Sequence, residues 1–275
     1  MKEENVKKIV RKRYAKAAKT KGSGCGCAPT TSCCSAPTDE QVSKIIGYSE
    51  AEMNAVPEGA NLGLGCGNPT ALASLKEGER VLDLGSGGGF DAFLAAKKVG
   101  KSGKVIGVDM TPEMLDKARA NAKKGKYTNV EFRLGEIENL PVADKSVDVI
   151  ISNCVINLSP DKKRVFEEAY RVLAPNGRLM VSDIVLLKPL PEAIQKSAEA
   201  YTSCVAGAEI KDKYLGLMRD AGFKDVKVLS EKNYPLEFIT SEPEVNIILS
   251  TLDISDEQLN ETANSIVSIS VSASK

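Results

Sequence analysis

The chain has no histidine and no tryptophan. Without histidine there is no Ser-His-Asp triad, no imidazole general base and no imidazole metal ligand. Any soft-metal or metalloid ligation therefore falls to sulfur. Charge of either sign is missing in surplus: Lys+Arg and Asp+Glu both number 37. A balanced charge argues against a nucleic-acid partner, which needs a cationic excess to neutralise phosphate. No apolar run reaches the roughly 18 residues of a membrane span. The basic segment 1–21 has no apolar stretch behind it, so it does not read as a secretory signal. These absences point to a cytoplasmic protein with neither nucleic-acid nor membrane partners.

What is present is an ordinary globular composition, 42% apolar and 27% charged over 275 residues, enough for one large α/β domain with extensions. Residues 1–21 read as a basic helix with Val6, Val10, Tyr14 and Ala18 spaced by four. It is either a docking helix or a solvated segment resting on the main domain. Residues 22–38 are rich in Gly, Ser, Thr and Pro and carry Cys25, Cys27, Cys33 and Cys34, which reads as a mobile loop. From residue 79 apolar strands alternate with helical patterns: strands at 80–84, 104–109, 129–134, 146–152 and 177–185, with helices between. That order means βαβ units and a parallel sheet covered on both faces. Further helices are expected near 191–203 and 209–221, with strands near 224–230 and 265–272.

The first strand runs into Asp83-Leu84-Gly85-Ser86-Gly87-Gly88-Gly89 and then a helix. Glycines at Gly85, Gly87 and Gly89 let backbone turn tightly and approach a ligand at the helix N-terminus. Asp109 ends the next strand, where a carboxylate accepts both ribose hydroxyls. The dinucleotide fingerprint G-x-G-x-x-G fails in the frame directly after the strand, because Phe90 takes its third glycine position. A shifted frame ending at Ala92 matches but leaves extra residues after the strand. Asp83 opposes a pyrophosphate and suits a cation, such as the ammonium of an amino-acid cofactor. The stretch Val81–Gly89 resembles the first motif of class I S-adenosylmethionine-dependent methyltransferases.

That resemblance implies a Rossmann-like fold with a mixed seven-stranded sheet, helices on both faces and a final antiparallel strand. It places Asp83, Gly85, Gly87, Gly89, Asp109 and Met110 at the cofactor. Glu136 and Ile137 of Gly135–Pro141 become the acid-plus-apolar pair beside adenine, and Asn153 lies beside the transferable methyl. The expected organisation is a helix and Cys-rich segment at 1–38, a cofactor domain at 39–188 and a region completing the sheet at 189–275.

Seven cysteines in a cytoplasmic chain suggest metal, redox or catalytic use over a disulfide framework. Cys154 and Cys204 each have a bland reading as small buried hydrophobes. Cys66, in Asn61-Leu62-Gly63-Leu64-Gly65-Cys66-Gly67-Asn68-Pro69, reads as an open thiol with glycine on both sides. These contexts together resemble the arsenite methyltransferases. The resemblance implies that Cys66, Cys154 and Cys204 bind trivalent arsenic as a trithiolate, with Cys33 and Cys34 as an accessory, redox-capable site. It also implies a thiol reductant, thioredoxin or glutathione-like. Binding is expected to displace thiol protons, so that affinity rises with pH. The Cys66 loop is expected to close over the cleft. Two other readings stay open: a methyltransferase for a small organic acceptor such as a quinone or sterol precursor, and a non-catalytic thiol-rich metal-binding protein.

Overall fold

The computed structural model describes residues 3–19, 38–191, 194, 201, 204–234 and 256–275. The expected helix near 191–203 and Cys25, Cys27, Cys33 and Cys34 lie outside the described residues, apart from isolated positions of that helix. The elements run α1 (Glu3–Lys19), α2 (Asp39–Ile45), α3 (Glu50–Asn54), α4 (Pro69–Leu72), β1 (Arg80–Leu84), α5 (Phe90–Val99), β2 (Lys104–Asp109), α6 (Pro112–Lys124), β3 (Val130–Leu134) and β4 (Val147–Asn153). They continue through α7 (Lys162–Val172), β5 (Leu173–Leu186), β6 (Glu209–Ile210), α8 (Lys211–Asp220), β7 (Lys224–Asn233), α9 (Asp256–Asn264) and β8 (Ile266–Ser274).

The sheet order is β3-β2-β1-β4-β5-β8-β7. β1 to β5 pair in parallel, while β8 runs antiparallel between β5 and β7. This is the mixed seven-strand order expected of a Rossmann-like methyltransferase. The two-residue β6 adds an eighth strand off this path, paired with β5. It is too short to show in a periodicity.

Strand residues alternate between two cores, which explains why β1 and β4 read as unbroken apolar runs. Leu82, Leu84 and Ile150 pack with Phe166 of α7 and Tyr214 of α8. Val81, Val149 and Ile151 pack with Phe93 of α5 and Leu115 of α6 on the other face. Local chemistry sets the helix starts. Pro112 opens α6, where its missing N–H costs nothing, and Lys123 and Lys124 suit the dipole at its end. Thr38 and Ser49 close capping boxes on α2 and α3.

The chain leaves β1 toward one side of the sheet and β4 toward the other, which opens a crevice beyond their carboxyl ends. A third cluster sits there, joining Val6 and Val10 of α1 to Cys66, Cys204, Ile184 and Ile266. α1 is therefore more than a solvated segment: Val10 is 1% exposed, and Lys7 pairs with Glu136 at 2.8 Å and Glu138 at 3.3 Å. Among the described residues no helix is long and apolar enough to cross a membrane.

Candidate active site

A cavity of about 390 Å³ occupies the crevice, within the usual range for a small-molecule site. The Gly85–Gly89 turn forms its floor. At Gly85, with φ 67°, an added Cβ would lie 2.3 Å from a Val155 methyl, so no side chain fits between this turn and the chain leaving β4. Asp109 braces the turn. Its Oδ2 accepts from Gly87 N–H at 3.0 Å and its Oδ1 from Thr111 N–H at 2.8 Å. Asp83 lines the cavity at 3% exposure, and its Oδ2 has no hydrogen-bond partner. Burial first, then the charges of Asp91 and Asp109, holds its carboxyl well above the usual carboxylate range. An orphaned buried carboxylate oxygen beside two further acids suits a cationic ligand group.

The three thiols gather at the other end of the crevice. Cys154 follows β4 with φ 56° and donates its N–H to the Ser182 carbonyl at 2.8 Å. Cys204 has φ 67° and points its sulfur at the Cys154 carbonyl, 3.0 Å away. Two non-glycine residues held in the left-handed region are a cost that packing must offset. Cys66 is 5% exposed, and its thiol reaches the Ser182 carbonyl at 3.5 Å. The Cys66 sulfur, the Cys154 sulfur and an Asp183 carboxylate oxygen lie within 4.8 Å of one another.

All three thiols are held in the protonated form. Burial pushes Cys66 up. At Cys154 a hydrogen bond with Cys204 pulls the thiol down, but the bond with Cys66 and burial outweigh it. At Cys204 the bond with Cys154 and burial both push upward. Asp183, fully buried, is pushed up to about 7 by burial, against the donors Ile184 N–H and Tyr214 O–H.

Comparison with known proteins fits this arrangement. The methyltransferase domain family matches residues 75–222. The chain belongs to the methyltransferase-domain family. Within it the chain is similar to arsenite methyltransferases. It is 50% identical over 242 residues to the arsenite methyltransferase of Halobacterium salinarum, covering 86% of this chain and 62% of that protein. It is 38% identical over 183 residues to the human arsenite methyltransferase, covering 63% of this chain and 48% of that protein. The crystal structure of an arsenic(III) S-adenosylmethionine methyltransferase from Chlamydomonas reinhardtii aligns with a TM-score of 0.61 at 34% identity, covering 85% of this chain and 72% of that one. The chain thus spans less than two thirds of the two curated relatives.

Of the residues expected at the site, Asp83, Gly85, Gly87, Asp109, Met110, Ile137, Asn153, Cys154 and Cys204 line the cavity. Three others do not. Gly89 turns the chain into α5 at φ 93°, where an added Cβ would meet Phe93 at 2.7 Å. Glu136 faces α1, paired with Lys7 and with Arg11 at 3.4 Å, and the acid that lines the cavity is Glu138. Cys66 sits behind the wall, not in the open. Its glycine neighbours serve packing: a Cβ at Gly67 would lie 2.7 Å from Ser182, and one at Gly65 2.9 Å from Asn153. The glycines press this loop onto β4 and β5, so it is seated instead of poised to close.

Several residues of the site escape sequence reasoning. Asp183 had a signal, an acid inside the apolar strand Leu179–Leu186. Tyr48 and Asp91 had none, since their hydroxyl–carboxylate bond of 2.6 Å joins positions 43 residues apart.

Proposed function

We propose that this chain methylates trivalent arsenic, using S-adenosylmethionine as donor. The observation that carries the reading is the approach of Cys66 and Cys154 to within 4.8 Å, with Cys204 bonded to the Cys154 carbonyl, beside a cleft containing a carboxylate with one unpartnered oxygen. S-adenosylmethionine, when bound, supplies an electrophilic methyl on a sulfonium sulfur. Asp83 is the residue to hold its ammonium and Asp109 the residue to accept its ribose hydroxyls, which fits Asp83 just before the Gly85–Gly89 turn and Asp109 at the end of β2, bonded to that turn through Gly87.

Arsenite at neutral pH is the uncharged trihydroxide. Each thiol exchanges with one hydroxyl, the thiol proton leaves on that hydroxyl as water, and three thiols give a trithiolate and three waters. No free proton is released, so the expected rise of affinity with pH gives way to a flat dependence while the thiols stay protonated. Arsenic bound to three sulfurs keeps one lone pair and is itself the nucleophile. The chain therefore needs no side-chain base, consistent with its lack of histidine. Its work is to place that lone pair, which is how positioning lowers a barrier. Methylation takes two electrons from arsenic. Two of the protein's sulfurs return them by joining as a disulfide, which an external thiol reductant, thioredoxin or glutathione-like, reopens.

The test is to incubate the purified chain with methyl-labelled S-adenosylmethionine, arsenite and a thiol reductant. Labelled methylarsenicals are expected on chromatography with arsenic detection, and arsenite should protect Cys66, Cys154 and Cys204 from alkylation. Label that never reaches arsenic, with no protection, defeats the reading.

A further inference from the structure

Asn153 lines the cavity, yet the hydrogen bonds of its amide are made to protein. Its Oδ1 accepts from the Cys66 N–H at 3.0 Å. Its Nδ2 faces the Tyr48 hydroxyl at 2.9 Å, the Gly67 carbonyl at 2.9 Å and Asp91 Oδ2 at 3.1 Å. The orientation is forced. Tyr48 spends its proton on Asp91 Oδ1 at 2.6 Å, so hydroxyl and carboxylate present only acceptors to Asn153. Turning the amide over would set oxygen against the Asp91 carboxylate and two N–H groups against each other at Cys66.

The same residue carries the next thiol. Its main chain ends β4 and passes directly into Cys154. Asn153 thus joins Cys66 through its side chain to Cys154 through its backbone. On the far side the Ser268 hydroxyl donates to the Cys66 carbonyl at 2.6 Å, so Cys66 is held by its N–H from β4 and its C=O from β8.

We propose that Asn153 is a positioning residue for the first methylation, setting Cys66 against Cys154 with the Tyr48–Asp91 pair fixing its amide. This rests on the arsenite reading given above. Inorganic arsenite needs three sulfurs. A monomethylated trivalent arsenical already has one carbon bond and needs two, which Cys154 and Cys204 provide without the Asn153 amide. Loosening Cys66 therefore discriminates between the substrates, whereas general damage does not.

The experiment compares wild type, Asn153→Ala and Tyr48→Phe in the full chain. In arsenic-free protein, iodoacetamide labelling of each cysteine is followed by mass spectrometry. Cys66 should label about tenfold faster in Asn153→Ala, the equivalent of one lost hydrogen bond, with Cys154 changing by less than about threefold. The loss in kcat/KM should be about tenfold larger on arsenite than on the monomethyl substrate. Affinity for S-adenosylhomocysteine is measured in parallel, because Asn153 also lines the cavity, and a loss there reports the cofactor site and not the thiols. Tyr48→Phe keeps the ring and should move Cys66 labelling and arsenite turnover the same way by a smaller factor. It also decides the matter if Asn153→Ala fails to fold. Unchanged Cys66 labelling in the folded variants overturns the proposal, as does equal loss on both substrates together with lost S-adenosylhomocysteine affinity. Should wild type methylate no arsenic, the functional reading falls, and the arsenic-free labelling still decides whether Asn153 positions Cys66.

Discussion

Asp83→Asn should move stability and cofactor affinity in opposite directions. The carboxyl is 3% exposed with one oxygen unpartnered, and Asp91 and Asp109 add like charge. Its folded-state pKa is raised, so the unfolded chain gives up this proton at lower pH than the folded one. The empty protein is then most stable, as far as this group is concerned, below the ordinary carboxylate pKa. It loses stability as pH rises from that value through the raised one. The asparagine variant has no charge to bury, so the empty variant should melt no lower than wild type at pH 7. The gap should close in acid. With ligand the order reverses. Losing the charged hydrogen bond to the ligand ammonium costs about 1.5–3 kcal/mol, roughly 10- to 150-fold in affinity. At ligand a hundredfold above the wild-type Kd, wild type gains about 2.7 kcal/mol, whereas a variant bound thirtyfold more weakly gains about 0.9. Calorimetry with S-adenosylhomocysteine and melts with and without it read both quantities. A variant that binds the ligand as tightly as wild type, or whose empty form melts clearly lower at pH 7, refutes the placement of Asp83 against a cation.

Cys154→Ser should abolish turnover on arsenite and on the monomethyl substrate, because a hard oxygen replaces a soft ligand needed in both steps. Cys66→Ser should silence arsenite alone; equal loss on both substrates with ligand affinity intact would contradict the division of sulfurs. Arsenite affinity should stay flat from about pH 6 to 8, since all three thiols are held above their ordinary value and hydroxyl exchange releases no proton. Competition binding that shows a steep fall, about tenfold per pH unit, would mean thiols already ionised in the free protein, because hydroxyl exchange would then take up a proton. Glu168→Ala should destabilise the fold by about 2–4 kcal/mol. It removes a buried carboxylate that accepts from Leu140 N–H and Arg164 and takes two bonds from Arg171. Urea denaturation showing a change below about 0.5 kcal/mol would place that network outside the stability of the fold.

Much of the framework was legible before any coordinates, for a physical reason. Strands buried on both faces must be apolar throughout, and the Gly85–Gly89 turn between β1 and α5 admits only small residues, so both leave marks in local sequence. β1 and β2 keep the bounds that their patterns suggest, Arg80–Leu84 and Lys104–Asp109. The acids Asp83 and Asp109 stand out because each interrupts or ends such a run. Cysteine identity likewise singled out Cys66, Cys154 and Cys204, since thiols are few and sit in distinct contexts.

Contact across the sheet was not legible. The glycines around Cys66 suggested an exposed thiol, but the same absence of side chains lets the loop press against Asn153 and Ser182 and bury it. Sequence carries the size of a residue without the surface that it meets. Glu136 and Glu138 are two positions apart in one turn, and the pairing of Lys7 and Arg11 with Glu136 shows α1 beside that turn, with Glu138 on its cavity side. Tyr48, Asp91 and Asn153 become one network only when the loop of Tyr48, the start of α5 and the end of β4 meet across separations of 43 and 62 residues. Which residue types the chemistry needs was thus a property of the chain. Which of them face the cavity, and how far apart the thiols stand, was decided by the sheet order, which brings β4, β5 and β8 together where the chain does not.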